Sequence, residues 1–584
     1  MKKSGFTLIE LLAVIIILAI VALIATPLVL DVIDDARKSA YNSSAHMIID
    51  GARNYYVESM LDTTKTGIDG KTNLFNEVAK NMQGEMPDSG EIYINERGQV
   101  AVSLVFNKTC YIKDFKSSNL LETEDTENCK VTYTDLVLNG ADPELDSAMI
   151  PVVINTDGSV SKADTRTAWY DYTEKRWANV VLVSDESRNE YISAEPGTAI
   201  ESSDIKAYYV WIPRYKYQIF TDVNNIASNS SLATTNNIPN NYVNKAQIIN
   251  VEFEDKEATK STGSAQDEWL THPAFTFGNE ELNGIWVGKY ETTGTASAPT
   301  VLPYTASNIQ QSLRSQNVST QFATSQKIAY GLNSKEASML KNSEWGAVAY
   351  LTASAYGQGT EEVRINNSEY YYTGCAATTP ALNETYGEYN KTQTDGSEGS
   401  YQGCENEWYT SIGVLASTTG NVYGVYDMSG GAWEYVMGVM EDSLGSGVPA
   451  SGRNNDYNSG FTGTLTYPND GSDPSITSIN GVAFPDSKYY DLYTYNTSSV
   501  VYANRGHLGD ATYELNDFVY WQDPDGNTRY HSSWNKDYAY FVIDGGPWFL
   551  RGGHWFDGAS AGVFGFDYNY GHAYGYHSFR SVLR

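Results

Sequence analysis

The side chains best suited to chemistry gather near the end of the chain, in residues 551–580. His554, His572 and His577 could hold a metal or move protons, and Asp557 and Asp567 could accept hydrogen bonds or balance charge. Tyr568, Tyr570, Tyr574 and Tyr576 offer broad contact faces. Two sets of positions interleave here. Arg551, Gly552, Gly553, Trp555, Gly558, Ala559, Ala561, Gly562, Val563, Phe564, Phe566, Gly571, Ala573, Ser578, Phe579 and Arg580 read as scaffold. The second set is His554, Phe556, Asp557, Ser560, Gly565, Asp567, Tyr568, Asn569, Tyr570, His572, Tyr574, Gly575, Tyr576 and His577. Each residue type in it has a codon reachable from an Asn codon by changing adenines alone. Lys, Glu, Gln and Met are not reachable that way, and all four are absent from 554–577. A surface shaped for one ligand has no reason to obey that restriction; a surface rewritten by adenine-directed mutagenesis does. The plainer alternative is a loop-rich end of an ordinary domain, since Gly, Asn and Asp favour turns.

Recognition suits this tract better than catalysis. Eight of the 24 residues in 554–577 are aromatic, against 13% of the whole chain, and Tyr supplies contact area at low entropic cost. Tyr568, Tyr570, Tyr574 and Tyr576 are the expected anchors, with Asp557, Asp567, Asn569, His554 and His572 as polar contacts. Trp433, Trp555, Phe564, Phe566 and Phe579 are expected to hold the scaffold. The three histidines all occupy candidate variable positions, so they read as one sampled state rather than a metal centre. No HExxH or P-loop is present, so no catalytic residue is assigned and no enzyme is expected. No cofactor is expected either; structural calcium stays open from the many Asp and Asn loops, but no Dx[DN]xDG loop supports it.

Composition narrows the partners. Net charge is −32, from 39 basic and 71 acidic residues, and 554–577 holds two Asp and no Lys or Arg. Nucleic-acid binding requires phosphate neutralisation, so no nucleic acid is expected. The four cysteines, Cys110, Cys129, Cys375 and Cys404, form two pairs separated by 19 and 29 residues. In an exported protein two local disulfides are the natural reading, with four buried thiols as the alternative.

These side chains need elements to carry them. The chain opens with Lys2, Lys3 and Gly5, followed by an apolar run from Phe6 broken only by Thr7 and Glu10. The run is long enough to cross a bilayer, which takes about 20 residues. Glu10 is a lone carboxylate in that run, and such a group is expensive unless it has a partner. Apolar residues Val32, Ile33, Ala36, Ala40, Met47, Ile48, Ala52 and Tyr55 recur at spacings of three and four, so the helix is expected to continue to about residue 60. Strand-like runs begin at Glu91, Gln99 and Val131 and suggest a small β head over 61–150. Residues 151–203 read as a small β module or linker, and 204–584 as one large domain with inserted polar loops.

Three resemblances refine this. Gly5-Phe-Thr-Leu-Ile-Glu10 and its apolar run resemble the leader of type IV prepilins and pseudopilins. That resemblance implies cleavage after Gly5 by a prepilin peptidase (leader 1–5, helix 6–60), methylation of Phe6, and pairing of Glu10 with a neighbouring subunit's Phe6 amine. Gly288-Lys-Tyr-Glu, the block Val425–Val436 and Leu550-Arg-Gly-Gly-His-Trp with Ser578-Phe-Arg resemble motifs of the formylglycine-generating, or sulfatase-modifying-factor, family. They imply a C-type-lectin-like domain with little regular secondary structure. The enzymes of that family need a cysteine pair near these last motifs, and no cysteine follows Cys404, which argues against their activity. The interleaved tract 554–577 resembles the variable proteins of diversity-generating retroelements, implying a ligand-binding surface meant to vary.

The expected class is therefore α+β, a long pilin helix with a small β head followed by the lectin-like domain. The expected role is a surface-displayed adhesin or receptor, at a pilus tip, with a variable protein or glycan on another cell or a phage as ligand. Its other partners would be the prepilin peptidase, other pilin subunits and the cell membrane that holds it before assembly. An enzyme on the formylglycine-generating fold would need fixed catalytic residues in the tail. A DNA-uptake or secretion pseudopilin would have no use for a variable ligand surface.

Overall fold

The computed structural model describes residues 8–62, 65–68, 72–79, 84–94, 98–115, 120–126, 129–131, 142–165, 169–219, 248–265, 268–378, 403–441, 449, 459–462, 482–495, 507–512, 519–522, 528–531, 537–543 and 545–584. The chain divides into two compact units, Met1–Asp135 and Leu136–Arg584.

The first unit begins with a helix of 54 residues, Leu8–Leu61. Gly5 and Phe6 lie outside the described residues, as does the side chain of Glu10. Leu12, Ile15, Ile16, Ile17 and Leu18 are all exposed. A helix that is apolar all round finds its partner outside its own chain. Among the described residues no helix is long and apolar enough to cross a membrane. Farther along, Tyr41, Ala45, Ile48 and Ala52 turn inward at spacings of four, three and four. The expected Ile48 and Ala52 are buried, but Met47 and Ala40 are exposed, and the bulky Tyr41 is drawn in against Phe106, 5.2 Å between ring centres.

That face packs on a four-stranded antiparallel meander, Ser89–Ile94, Val100–Phe106, Thr109–Lys113 and Leu121–Thr123. The last two strands were not expected from the sequence. The run expected from Val131 to Leu138 lies outside the described residues beyond Val131. Cys110, on the third strand, is disulfide-bonded to Cys129.

The second unit is built on β-sheets, which overturns the expected α+β class with little regular structure. Among its described residues the helices run to 11 residues at most, whereas one sheet has eight strands and another five. The reason lies in the side chains: Val, Ile, Tyr and Trp dominate runs such as Ile205–Pro213 and Trp433–Met440, and they fit a pleated surface better than a helix.

The eight-stranded sheet runs Ala337–Met339, Ser581–Leu583, Gly284–Gly288, Ile205–Pro213, Asn179–Val183, Ile150–Ile154, Val160–Lys162, Ala199–Ile200. Residues 150–200 thus supply four of its strands, continuous with strands from the end of the chain. The second sheet is ordered Asp491–Tyr493, Trp433–Met440, Trp548–Arg551, Phe566–Asn569, and His577–Phe579 adds in parallel to Trp433–Met440. All eight residues of Trp433–Met440 are buried, as expected of a strand covered on both faces. Cys375 is disulfide-bonded to Cys404.

Candidate ligand-binding surface

The blocks that stood out as motifs converge on one buried charge network. His577–Phe579 belongs to the five-stranded sheet and Ser581–Leu583 to the eight-stranded one, so Arg580 sits where the chain passes between them. Its guanidinium meets Glu434 at 2.5 and 3.2 Å and donates to the carbonyls of Gly288 (2.8 Å) and Tyr426 (2.9 Å). Three distant segments are thereby tied to one side chain. Burial raises the Glu434 carboxyl from its ordinary value, and the guanidinium opposes that rise.

Lys289 is fully buried and donates to Asn179 Oδ1, Val422 O and Gly424 O at 2.6–2.9 Å. Burial holds it well below the usual lysine range. Burial, and then the charges of Glu434 and Asp427, hold Glu291 well above the usual carboxylate range. Glu291 accepts from the Ala432 N–H at 2.9 Å and contacts the Ser312 hydroxyl. These groups are inside: Arg580 and Glu434 bond each other, while Lys289 and Glu291 are held by backbone groups and by Asn179 and Ser312. They build scaffold.

Arg551 is also fully buried, with bonds of 3.2 Å to Asn342 Oδ1 and Asp510 O. Burial pushes it down to about 10, against the pull of Asp510. It ends the strand Trp548–Arg551, which pairs with Phe566–Asn569 in the register Trp548 to Asn569 and Arg551 to Phe566. Between these strands the chain turns at Gly553, whose φ is +77° and where a Cβ would lie 2.7 Å from Ala561. A second tight turn is Gly571 (φ +81°), where a Cβ would approach Trp548 to 2.7 Å. Both positions require glycine.

The two interleaved sets separate by burial. Of the 16 scaffold positions 13 are buried; Trp555 is half-buried, Ala573 is exposed, and the Ala559 side chain lies outside the described residues. Of the 14 candidate variable positions ten reach solvent: His554, Phe556, Asp567, Tyr568, Asn569, Tyr570, His572, Tyr574, Gly575 and Tyr576. Tyr574, 42% exposed, is the most open large side chain among them. The other four, Asp557, Ser560, Gly565 and His577, are buried in this chain, so the expected contact surface narrows to ten. Asp557 serves its neighbours instead: its Oδ2 accepts from the His554 N–H at 2.8 Å and faces His554 Nδ1 at 2.9 Å. Burial works against a charge on His554, yet Asp557 outweighs it and raises the histidine above its ordinary value.

The accessible rings form a connected group. Tyr574 lies 4.3 Å from Tyr576 and 5.4 Å from His572; Tyr570 lies 5.7 Å from His572, and Tyr576 lies 5.2 Å from His554. Aromatic pairs of this kind contribute about 0.5–1.5 kcal/mol each beyond burial, and Tyr576 also packs against the buried cluster that holds Trp433 and Phe579. Asp567 adds a carboxyl that burial pushes up to about 8, with Asp557 adding to the rise and the Tyr568 N–H opposing it. Burial lowers His572 and holds His577 well below its ordinary value. Among the described residues no group of three or more His, Cys, Asp or Glu is placed to hold a metal.

Positioning residues outside the tract escaped sequence reasoning. Tyr435 donates its hydroxyl to Asn569 Oδ1 at 2.7 Å and approaches the His572 carbonyl at 3.2 Å. The segment before and within the helix Val318–Ser325 clamps the other side: Ser315 N–H bonds Tyr574 O (3.0 Å), Val318 N–H bonds Gly571 O (3.1 Å), and Arg314 reaches the Gly575 carbonyl. Tyr435 lay inside a noted motif but was given no role there, and nothing in 313–318 signals the clamp.

At the other end of the chain, residues 1–26 match the family described as the prokaryotic N-terminal methylation motif. No curated protein matches the chain. The match is to a type IV prepilin leader, which implies processing by a prepilin peptidase and assembly with other pilins. The chain is therefore a pilus-related surface protein whose precursor is membrane-anchored.

Proposed function

We propose that the protein is a pilus-borne adhesin or receptor whose C-terminal surface is diversified to bind changing ligands. The observation that carries this reading is the separation by burial within 551–580: the codon-defined candidate variable positions lie mostly at the surface, and the interleaved positions lie mostly inside. A diversifying system needs that arrangement, because surface substitutions away from caps and buried bonds usually shift stability by no more than about 0.5 kcal/mol. The resemblance of the tract to retroelement variable proteins supports the same reading. The connected group of Tyr570, His572, Tyr574, Tyr576 and His554 supplies rigid aromatic contact area with polar tips, the composition that suits many ligands. A variable protein or glycan on another cell or a phage is the ligand class this surface fits.

A display library tests it. The ten accessible positions are randomised, and the full chain is panned against whole bacteria and phage particles. Folded members enriched on different targets, differing only at those positions, are the expected result. A library that folds yet yields no enrichment on any target would contradict the reading.

A further inference from the structure

A second site, on the same unit but outside the tract, combines a cavity with unspent polar groups. The helix Asn342–Thr352 begins beside a surface cavity of about 320 Å³, lined among others by Lys341, Ser343, Ser487, Lys488, Asp491 and His507. That volume is at the lower end for small-ligand pockets. Lys341 immediately precedes the helix and Ser343 lies in its first turn, where the helix dipole favours negative charge. Lys341 is only 6% exposed and has no ion pair among the described residues. Ser343 is 4% exposed, and its hydroxyl has no hydrogen-bond partner there. A buried hydroxyl without a partner costs about 1–3 kcal/mol, so its persistence points to a group that completes it.

The rest of the cavity is organised in the same sense. Lys488 is fixed over the Phe277 ring at 4.6 Å and by Glu336 at 3.2 Å, which leaves a cation held at the rim. Asp491 takes the Ser343 N–H at 2.7 Å. One carboxylate thus already uses the helix terminus in the way an incoming anion would, and two lysines stand beside it in a chain of net charge −32.

We propose that this cavity binds a sulfate or phosphate oxyanion, with Lys341 and the Ser343 hydroxyl as its direct contacts. Lys488 lies at the rim, its charge shared with Glu336. None of these residues lies in 554–577, so the subsite is fixed while the variable surface changes, and it does not depend on diversification.

The test is calorimetric titration of the full-length mature protein in detergent with inorganic sulfate, inorganic phosphate, glucose 6-sulfate, glucose 6-phosphate and glucose. The two sugar esters are expected to bind and glucose not to; the tighter ester identifies the source of the anion. Lys341→Met should weaken binding about tenfold or more, and Lys341→Arg should largely retain it. Asp491→Asn keeps an acceptor for the Ser343 N–H but removes a competing charge, and should tighten binding several-fold. Folding of each variant is followed by tryptophan fluorescence. Absence of binding for every anion, or affinities unmoved by both Lys341→Met and Asp491→Asn, would overturn the proposal.

Discussion

The guanidinium of Arg580 and the carboxylate of Glu434 form a doubly bonded, fully buried ion pair at the point where the chain leaves one sheet and enters the next. The strand on one side of Arg580 ends the candidate variable tract, and the strand on the other anchors it in the eight-stranded sheet. The pair fixes the frame from which the tract is displayed.

Removing Arg580 should therefore be costly. Arg580→Leu leaves Glu434 buried without its countercharge, and Asp427 and Glu291 lie nearby, so a loss of about 3–5 kcal/mol is expected. Glu434→Gln should cost less, because Asp427 remains to face the guanidinium. Urea unfolding followed by tryptophan fluorescence checks this cleanly: all twelve tryptophans lie at or beyond Trp169, so the signal reports on the second unit alone. Equal losses for the two variants would contradict the described network.

Asp567 makes the surface sensitive to pH. Its folded-state pKa is raised to about 8 by burial, so the folded protein holds a proton that the unfolded chain releases near the ordinary carboxylate value. Stability contributed by that proton is present at low pH and is lost as pH rises through about 8. Asp567→Asn should accordingly match the parent near pH 4 and be more stable at pH 9. The gain should be about 1–2 kcal/mol, well below the full linkage because the residue is partly exposed. Parallel stability curves across this window would refute the assignment.

The Cys375–Cys404 disulfide closes a loop with a sequence separation of 29, and its removal should lower stability by about 3 kcal/mol. Mass spectrometry of the unreduced protein should find no free thiol, since Cys110 and Cys129 are also bonded. Alkylation of a cysteine before reduction would contradict the bridge to which it belongs.

Processing gives a test at the other end. The mature chain should begin at an N-methylated Phe6, read by N-terminal mass spectrometry, as residues 1–26 imply. A bulky residue in place of Gly5 should block cleavage, while Glu10→Val should leave cleavage intact and reduce assembly with other pilins. An unprocessed N-terminus in cells with an active prepilin peptidase would contradict the leader.

How much of this could be read from the sequence depended on the range of the interaction. The interleaving in 551–580 was legible because a codon restriction is a local signal, whereas the buried strand Trp433–Met440 appeared in the sequence only as part of a motif block ending at Val436. The β-rich class was not legible, because turn-rich loops between short aromatic strands conceal pairings such as Ser581–Leu583 with Gly284–Gly288, nearly 300 residues apart. The inward face of the first helix was legible in part: the periodic Ile48 and Ala52 are buried, but the pattern also admitted Met47 and Ala40, and only the facing sheet selected Tyr41 and Ala45. Asp557 and His577 were read as contacts by residue type alone. Their burial follows from the Gly553 turn and from pairing with Trp433–Met440, which no local pattern encodes. The clamp at 313–318 works through the backbone N–H groups of Ser315 and Val318, which leave no side-chain signature, and through Arg314, whose distant partner no local pattern names.

Diversification of the accessible tract is the claim on which the functional reading stands, and deep sequencing of the gene's 3′ end across a population, with its flanking DNA, tests it most directly. The expected result is substitution confined to the codons of the 14 candidate positions, each matching an adenine in a nearby near-copy. An invariant tract without such a copy, or substitutions falling equally on Phe566, Phe579 and Arg580, would contradict it.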